Sequence, residues 1–374
     1  MPAQIPSVGG HAVIAKPALQ QVFDALRADG YTLVGPTVAD GAIIYDEIAS
    51  IDDLPVGWTD EQAAGRYRLR RRADGRYFGY VVGPHSLKRF LFPPRIKLFS
   101  TRRRADGFDV QPNVDPAPRY AFVGVRGCEV AAVAVQDRVF LEGAAQDPLY
   151  RARREAAFIL AVNCVEPGGT CFCASMKTGP RCAGGFDLAL TELDDIFLVE
   201  IGSELGAHML SAAEWRPAGA FEMARGRRAL ADAEGKMGRV LDTRDLPDLL
   251  YENLDHPRWA EVAERCLSCA NCTMVCPTCF CADVQEVSDL TGDNAMRLRV
   301  WDSCFNHEFS YIFGGHLRPN IRARYRQWLT HKLAAWVDQF GMSGCVGCGR
   351  CITWCPVGID LTRELDAIRG EAKA

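Results

Sequence analysis

Cysteine spacing constrains this chain more than any other feature. Cys266-x2-Cys269-x2-Cys272-x3-Cys276-Pro277 recurs as Cys345-x2-Cys348-x2-Cys351-x3-Cys355-Pro356, so half of the 16 cysteines fall into two copies of one pattern. Two residues between thiols let the backbone curl until three sulfurs face three corners of one iron–sulfur cubane, while the fourth, held beyond the turn by the following proline, points to another cubane. The spacing therefore predicts two [4Fe-4S] clusters with crossed ligands. Cluster 1 takes Cys266, Cys269, Cys272 and Cys355; cluster 2 takes Cys345, Cys348, Cys351 and Cys276. Zinc is the competing chemistry, but zinc sites are commonly built from paired C-x2-C motifs around one ion. Each run here supplies three close thiolates and one remote. Neither cubane leaves an iron open, so electron transfer rather than substrate chemistry is the expected task.

The remaining composition narrows the class. The chain has 374 residues, 48% hydrophobic and 24% charged, with 43 Lys and Arg against 47 Asp and Glu for a net charge of −4. Such a composition is that of a soluble globular protein, long enough for two domains. The acidic balance argues against a nucleic-acid partner. The best apolar run, residues 156–162, is seven long, far short of the roughly 18 that cross a bilayer, so no membrane association is expected. The opening MPAQIPSVGG lacks a charged segment followed by an apolar one, which predicts no secretory leader and a cytoplasmic location. In a reducing compartment clustered cysteines mark metal or redox sites rather than disulfides.

Hydrophobic patterning predicts a strand at 12–15, then an amphipathic helix opened by Pro17, with Leu19, Val22, Phe23 and Leu26 on one face and Gly30 at its end. Strands are expected at 31–34 and 42–45. The alternating runs 66–71 and 77–82, joined across Asp74-Gly75, predict a hairpin. Apolar runs at 120–125 and 157–162 have the length of buried strands, with a helix over 130–140 between them, and 186–190 and 196–201 add two more strands. From about residue 220 the pattern is helical, over 221–234, 246–254 and 257–265. The expected fold class is α+β: an N-terminal mixed α/β sheet domain, residues 1–238, followed by a mainly helical domain, residues 239–374, with a two-[4Fe-4S] ferredoxin-like module. The insertion between the cysteine runs carries a strand at 297–301 and a basic helix at 321–340.

A third site is expected in the first domain. Cys128 and Cys164 each follow a predicted central strand, and groups at the carboxyl ends of neighbouring strands converge on one crevice. Cys171-x-Cys173 follows on a Gly168-Gly169 loop, so Cys128, Cys164, Cys171 and Cys173 would hold a third [4Fe-4S] cluster, with Cys182 an alternative ligand. The bland alternative is a set of small buried cysteines. Cys279, Cys281 and Cys304 have no fourth cysteine left; His307 would complete a site with them, and a core role is the simpler expectation. The tetrapeptide TCFC occurs twice, at Thr170 to Cys173 and Thr278 to Cys281, without evident cause. Arg318, Arg322, Arg324, Arg326, His331 and Lys332 form either a solvated face or a cationic border to the clusters. Trp328 and Trp336 read as core. No glycine-rich nucleotide motif and no nucleophile–base pattern is present.

These residues resemble a family: the iron–sulfur beta subunit of cytosolic multisubunit [NiFe]-hydrogenases of the sulfhydrogenase or NAD(P)-linked type, related to the electron-transfer subunit of anaerobic sulfite reductase. The resemblance rests on Val125-Arg126-Gly127-Cys128, Cys164, Gly168 to Cys173, Thr178-Gly179-Pro180, Gly185-Phe186-Asp187, Cys266 to Cys281, Trp301 to Cys304, Gly314-Gly315-His316, His331-Lys332 and Cys345 to Pro356. Family members often carry proline where Gly127 stands, and Cys182 is extra. The resemblance implies an electron relay between a flavin subunit that handles NAD(P)H and a hydrogenase small subunit, or a sirohaem subunit in the sulfite reductase case, with no nickel or flavin of its own. A cluster-bearing redox regulator, and a self-contained enzyme with an open iron at the third cluster, are the alternatives.

Overall fold

The computed structural model describes residues 6–113 and 116–371. The first five residues, on which the reading of the N-terminus partly rests, lie outside them. The runs YAFVGV and FILAV offer almost nothing polar to either side, so strands built from them have to be covered on both faces. In chain order the first half lays down β1 (His11–Ala15), β2 (Thr32–Ala39), β3 (Ala42–Glu47), β4 (Trp58–Ala63), β5 (Arg66–Arg71), β6 (Arg95–Arg104), β7 (Gly107–Pro112), β8 (Tyr120–Val125), β9 (Phe158–Val162), β10 (Leu188–Glu192), β11 (Ile196–Ile201) and β12 (Trp215–Pro217). Eight of them form the main sheet, ordered β12-β1-β11-β10-β9-β8-β2-β3. The two runs become β8 and β9 near its middle, flanked in parallel by β2 and β10, with antiparallel strands outside. The helix Leu19–Ala28 buries the expected Leu19, Val22, Phe23 and Leu26. The mixed α/β sheet expected of the first half is present.

One expected element is different. β5 does pair in a hairpin, but with β4 across Ala64-Gly65, and residues 77–82 form no strand. Their alternation is real, since Phe78, Tyr80 and Val82 are buried, but their backbone is satisfied by buried side chains instead of a neighbouring strand. The Glu192 carboxylate accepts from Tyr77 N and Phe78 N, both at 2.8 Å, and Asp60 accepts from Val81 N at 2.6 Å. The Arg126 guanidinium donates to Phe78 O and Tyr80 O, both at 2.7 Å. Periodicity reports burial; it does not report which groups supply the hydrogen bonds.

The second half is helical around Trp259, Tyr325, Trp328, Leu329 and Leu333, and its insertion supplies β13 (Ala282–Ser288) and β14 (Asn294–Trp301). These join strands of the first half in an antiparallel sheet ordered β13-β14-β6-β7. The basic helix consists of Ile321–Thr330 and Trp336–Phe340 joined by a π turn over His331–Ala335, which places Lys332 inside. π turns recur at functional sites. Among the described residues no helix is long and apolar enough to cross a membrane.

Glu192 holds this arrangement together at one point, because it also accepts from the buried Lys16 ammonium at 2.7 Å. Glu192→Ala would strand that cation and two peptide N–H groups, and should cost about 3–5 kcal/mol, read as a fall in the urea midpoint. A loss below about 1 kcal/mol, the worth of one ordinary hydrogen bond, would show that segment 77–82 is held by other contacts.

Candidate functional site

β8 and β9 are parallel neighbours, so the chain leaves both at the same sheet edge, through Arg126-Gly127-Cys128 and Asn163-Cys164. The following loop folds back over that edge: Cys164 N donates to Pro180 O at 3.0 Å, and Cys182 N to Asn163 Oδ1 at 2.8 Å. Gly179 has to be small there, since a Cβ would sit 2.8 Å from Cys173 Sγ. The thiols of Cys128, Cys164, Cys171 and Cys173 are thereby gathered. Burial raises each of them; Cys173 and Cys348 push Cys128 further, Cys173 and Cys164 do the same to Cys171, and Cys173 reaches about 12 beside Cys164 and Cys348. Cys182 joins the group, pushed up to about 12 by burial despite the facing Arg126. The fifth candidate that the sequence offers thus lies beside Cys164.

The two runs curl alike. In the first, Ser268 and Ala270 adopt left-handed backbone, at φ 51° and 64°; in the second, Gly347 and Gly349 occupy the same two places at 64° and 74°. The glycines are required by crowding as well as by φ. A Cβ on Gly347 would lie 2.7 Å from the Cys173 backbone, and one on Gly349 2.4 Å from Thr170 O. The curls turn peptide N–H groups toward sulfur: Ser268 N donates to Cys266 Sγ at 3.5 Å, Gly347 N to Cys345 Sγ at 3.4 Å and Ile359 N to Cys355 Sγ at 3.3 Å. Cys266, Cys269, Cys272 and Cys355 line one cavity, walled by Phe305, Tyr325 and Trp328.

Cys345, Cys348, Cys351 and Cys276 form a second group. Burial raises Cys345 to about 12 against the pull of Lys332, and raises Cys351 beside Cys345, Cys348 and Cys276. Cys276 goes the other way, held well below the usual thiol range because Cys279 donates a hydrogen bond to it and Lys332 faces it. The Lys332 ammonium donates to Cys276 Sγ at 3.4 Å, Thr278 Oγ1 at 3.0 Å and Gly344 O at 3.0 Å.

The three groups are contiguous. Cys348 faces Cys128 and Cys173 on one side, and Cys351 faces Cys272 on the other and lines the first cavity. The first group reaches the surface at Cys269, beside Leu267, which is 62% exposed. Buried cations line the path. Arg350 donates to the Glu129 carboxylate at 2.5 Å and faces Cys348 and Cys128, Arg126 faces Cys164, and Arg324 faces Cys266. The basic stretch thus divides: Arg324 and Lys332 face thiols, while Arg322 and Arg326 meet the exposed Asp255. Nothing in the sequence signalled Lys88, whose buried ammonium faces Cys279 and Cys276.

The donor set fits iron–sulfur cubanes. A tetrahedral zinc with 2.3 Å bonds holds its sulfurs about 3.8 Å apart. Among the described residues, three or more candidate ligand atoms lie mutually within 4.8 Å only at His307, Glu308 and His316, so the thiol groups are spaced more widely than zinc requires. N–H bonds to sulfur and neighbouring cations stabilise the extra negative charge of a reduced cluster.

The chain was compared with known proteins. The model of the 4Fe-4S dicluster domain matches residues 265–359. The chain is similar to Sulfhydrogenase 2 subunit beta of Pyrococcus furiosus, 30% identical over 360 residues that cover 93% of this chain and 95% of that protein. No solved structure matches.

The seam between the C-x-C loop and the second run yields a paired test. Gly347→Ala combines a left-handed backbone with a backbone clash, whereas Gly341→Ala, at φ 70° with open space around it, carries the conformational cost alone. The exposed change should cost about 1–2 kcal/mol. Gly347→Ala should cost clearly more and lower the iron content of the anaerobically purified chain; equal losses at both positions would show that the seam is not tightly packed.

Proposed function

Because the chain belongs to the family of sulfhydrogenase beta subunits, the iron–sulfur electron-transfer subunits of those hydrogenases, we propose that it relays electrons through three [4Fe-4S] clusters between a flavin subunit that handles NAD(P)H and a hydrogenase small subunit. Cys266, Cys269, Cys272 and Cys355 hold the first cluster, Cys345, Cys348, Cys351 and Cys276 the second, and Cys128, Cys164, Cys171 and Cys173 the third. The carrying observation is the contiguity of the three thiol groups, from the buried sheet edge to the exposed Cys269. Bound clusters supply one-electron chemistry; the protein supplies position, burial and compensating charge. Every iron is ligated in this arrangement, so this subunit transfers electrons and leaves catalysis to its partners. The hydrogenase reading is favoured over a sirohaem partner by the relative's name, and NAD(P)H by the resemblance in the motifs.

In the complex purified without oxygen, Cys355→Ser should remove or convert the first cluster and abolish NAD(P)H-linked hydrogen turnover, while turnover with an artificial dye at the hydrogenase subunits persists. Undiminished NAD(P)H-linked turnover would sink the relay.

Lys332→Met should lower the midpoint potential of the second cluster. One positive charge about 6 Å away at an effective dielectric of about 20 contributes on the order of 100 mV for one electron. Redox titration followed by EPR reads the shift; an unchanged potential would show that Lys332 is compensated from elsewhere.

A further inference from the structure

Cys279, Cys281 and Cys304 are not used by the relay, yet they lie together. They line one cavity with Trp328, His331, Lys332 and Trp336. Their position follows from folding: β13 and β14 are paired from Ala282 with Trp301, which brings the residues just before β13 beside those just after β14. Asp302 N donates to Cys281 O at 2.9 Å and closes the end of that ladder. His307, the histidine expected to complete a site with these cysteines only if they were not core, lies against His316, with ring centroids 3.6 Å apart.

The two TCFC segments now have a common explanation. Both grip the loop that carries the second cysteine run, from opposite ends. Phe172 N donates to Gly347 O at 2.8 Å and Thr170 Oγ1 meets Thr353 Oγ1 at 2.7 Å. On the other side Thr278 Oγ1 donates to Gly344 O at 2.7 Å, and Phe280 stacks on Trp336 at 5.7 Å. Each tetrapeptide therefore presents a C-x-C pair next to the second cluster, one pair on each flank.

Charge separates a ligand set from ordinary core cysteines. Lys332 and Lys88 are 5% and 3% exposed, and both ammonium groups face Cys276 and Cys279. Among the described residues neither forms an ion pair with a carboxylate: Lys332 has the neighbours given above, and Lys88 donates to Thr273 O and Met274 O at 3.3 Å and lies 3.9 Å from the Trp301 ring centroid. A buried ammonium without an anion costs several kcal/mol, and the thiols that face these two are Cys279 and Cys281 as well as Cys276 and Cys345 of the second cluster. The sulfurs of Cys279, Cys281 and Cys304 are not all within 4.8 Å of one another, too wide for one zinc ion.

We propose that Cys279, Cys281 and Cys304, with His331 as the nitrogen donor of the same cavity, hold a fourth iron–sulfur cluster. It stands beside the relay, not in line with it. Cys279 lies beside Cys276 of the second cluster, and Cys304 faces Cys272 of the first. The thiols are partly buried, so this cluster gives the relay a side branch.

The inference goes beyond the relay and is tested apart from it. Iron and sulfide are counted in the full chain purified without oxygen, and alkylation of its cysteines is mapped by mass spectrometry. Four centres of four irons predict about sixteen per chain, with Cys279, Cys281 and Cys304 protected. The double variant Cys281→Ser/Cys304→Ser should fall to about twelve, and His331→Ala should change the g-values of one EPR signal at nearly constant iron. About twelve irons in the unaltered chain, with those three thiols alkylated or holding zinc, overturns the fourth cluster and leaves the relay standing. About eight or fewer overturns both. The unaltered chain decides the matter even where the double variant does not fold.

Discussion

Concentrated negative charge inside the protein is the constraint on which the rest depends. The three proposed clusters would place a dozen thiolates in an apolar interior, which requires positive partners, and the chain carries such side chains in both halves. Arg126 comes from the end of β8, Lys88 from the stretch before β6, and Arg324, Lys332 and Arg350 from the second half. The same cations that make the ligand sets tolerable also set how easily an electron is accepted, since reduction adds one more negative charge to each site. Stability and redox function therefore pull on the same residues, and a mutation at Lys332 cannot change one without the other.

That shared demand explains why the two halves interlock. The second cysteine run lies against the C-x-C loop of the first half so closely that Gly347 and Gly349 have no room for a Cβ. Gly65 N donates to Ile352 O at 3.0 Å, Thr178 Oγ1 to Val346 O at 2.6 Å, and Gln136 Nε2 to Pro277 O at 2.9 Å. A relay needs its centres at fixed short separations. Rigid backbone contacts across the seam supply that directly, where two domains on a flexible linker would leave the gap to chance.

The mixed α/β sheet and its central strands were legible, because they depend on runs of apolar residues, and cysteine spacing alone was enough to suggest which thiols the fold would bring near one another. What was hidden depends on long-range partners. Residues 77–82 have the periodicity of a strand, and only the positions of Glu192, Asp60 and Arg126 show that side chains take the place of a ladder. Lys88 carries no motif at all. His307 was the nearer histidine in sequence to Cys304, but the π turn in the basic helix brings His331 to the cavity wall instead. Sequence separation is a poor guide to neighbours wherever two strands of a ladder bring distant ends together.

The repeated tetrapeptide shows how such a site arises from ordinary folding rules. A threonine hydroxyl fixed to the second run sets the position of the loop, and the phenylalanine two residues on packs beside it, Phe172 in the core and Phe280 on Trp336. A loop of that form brings two cysteines beside the second run. The chain uses the device on both flanks, and in each case further thiols come from the end of a strand: Cys128 and Cys164 after β8 and β9 on one side, Cys304 after β14 on the other.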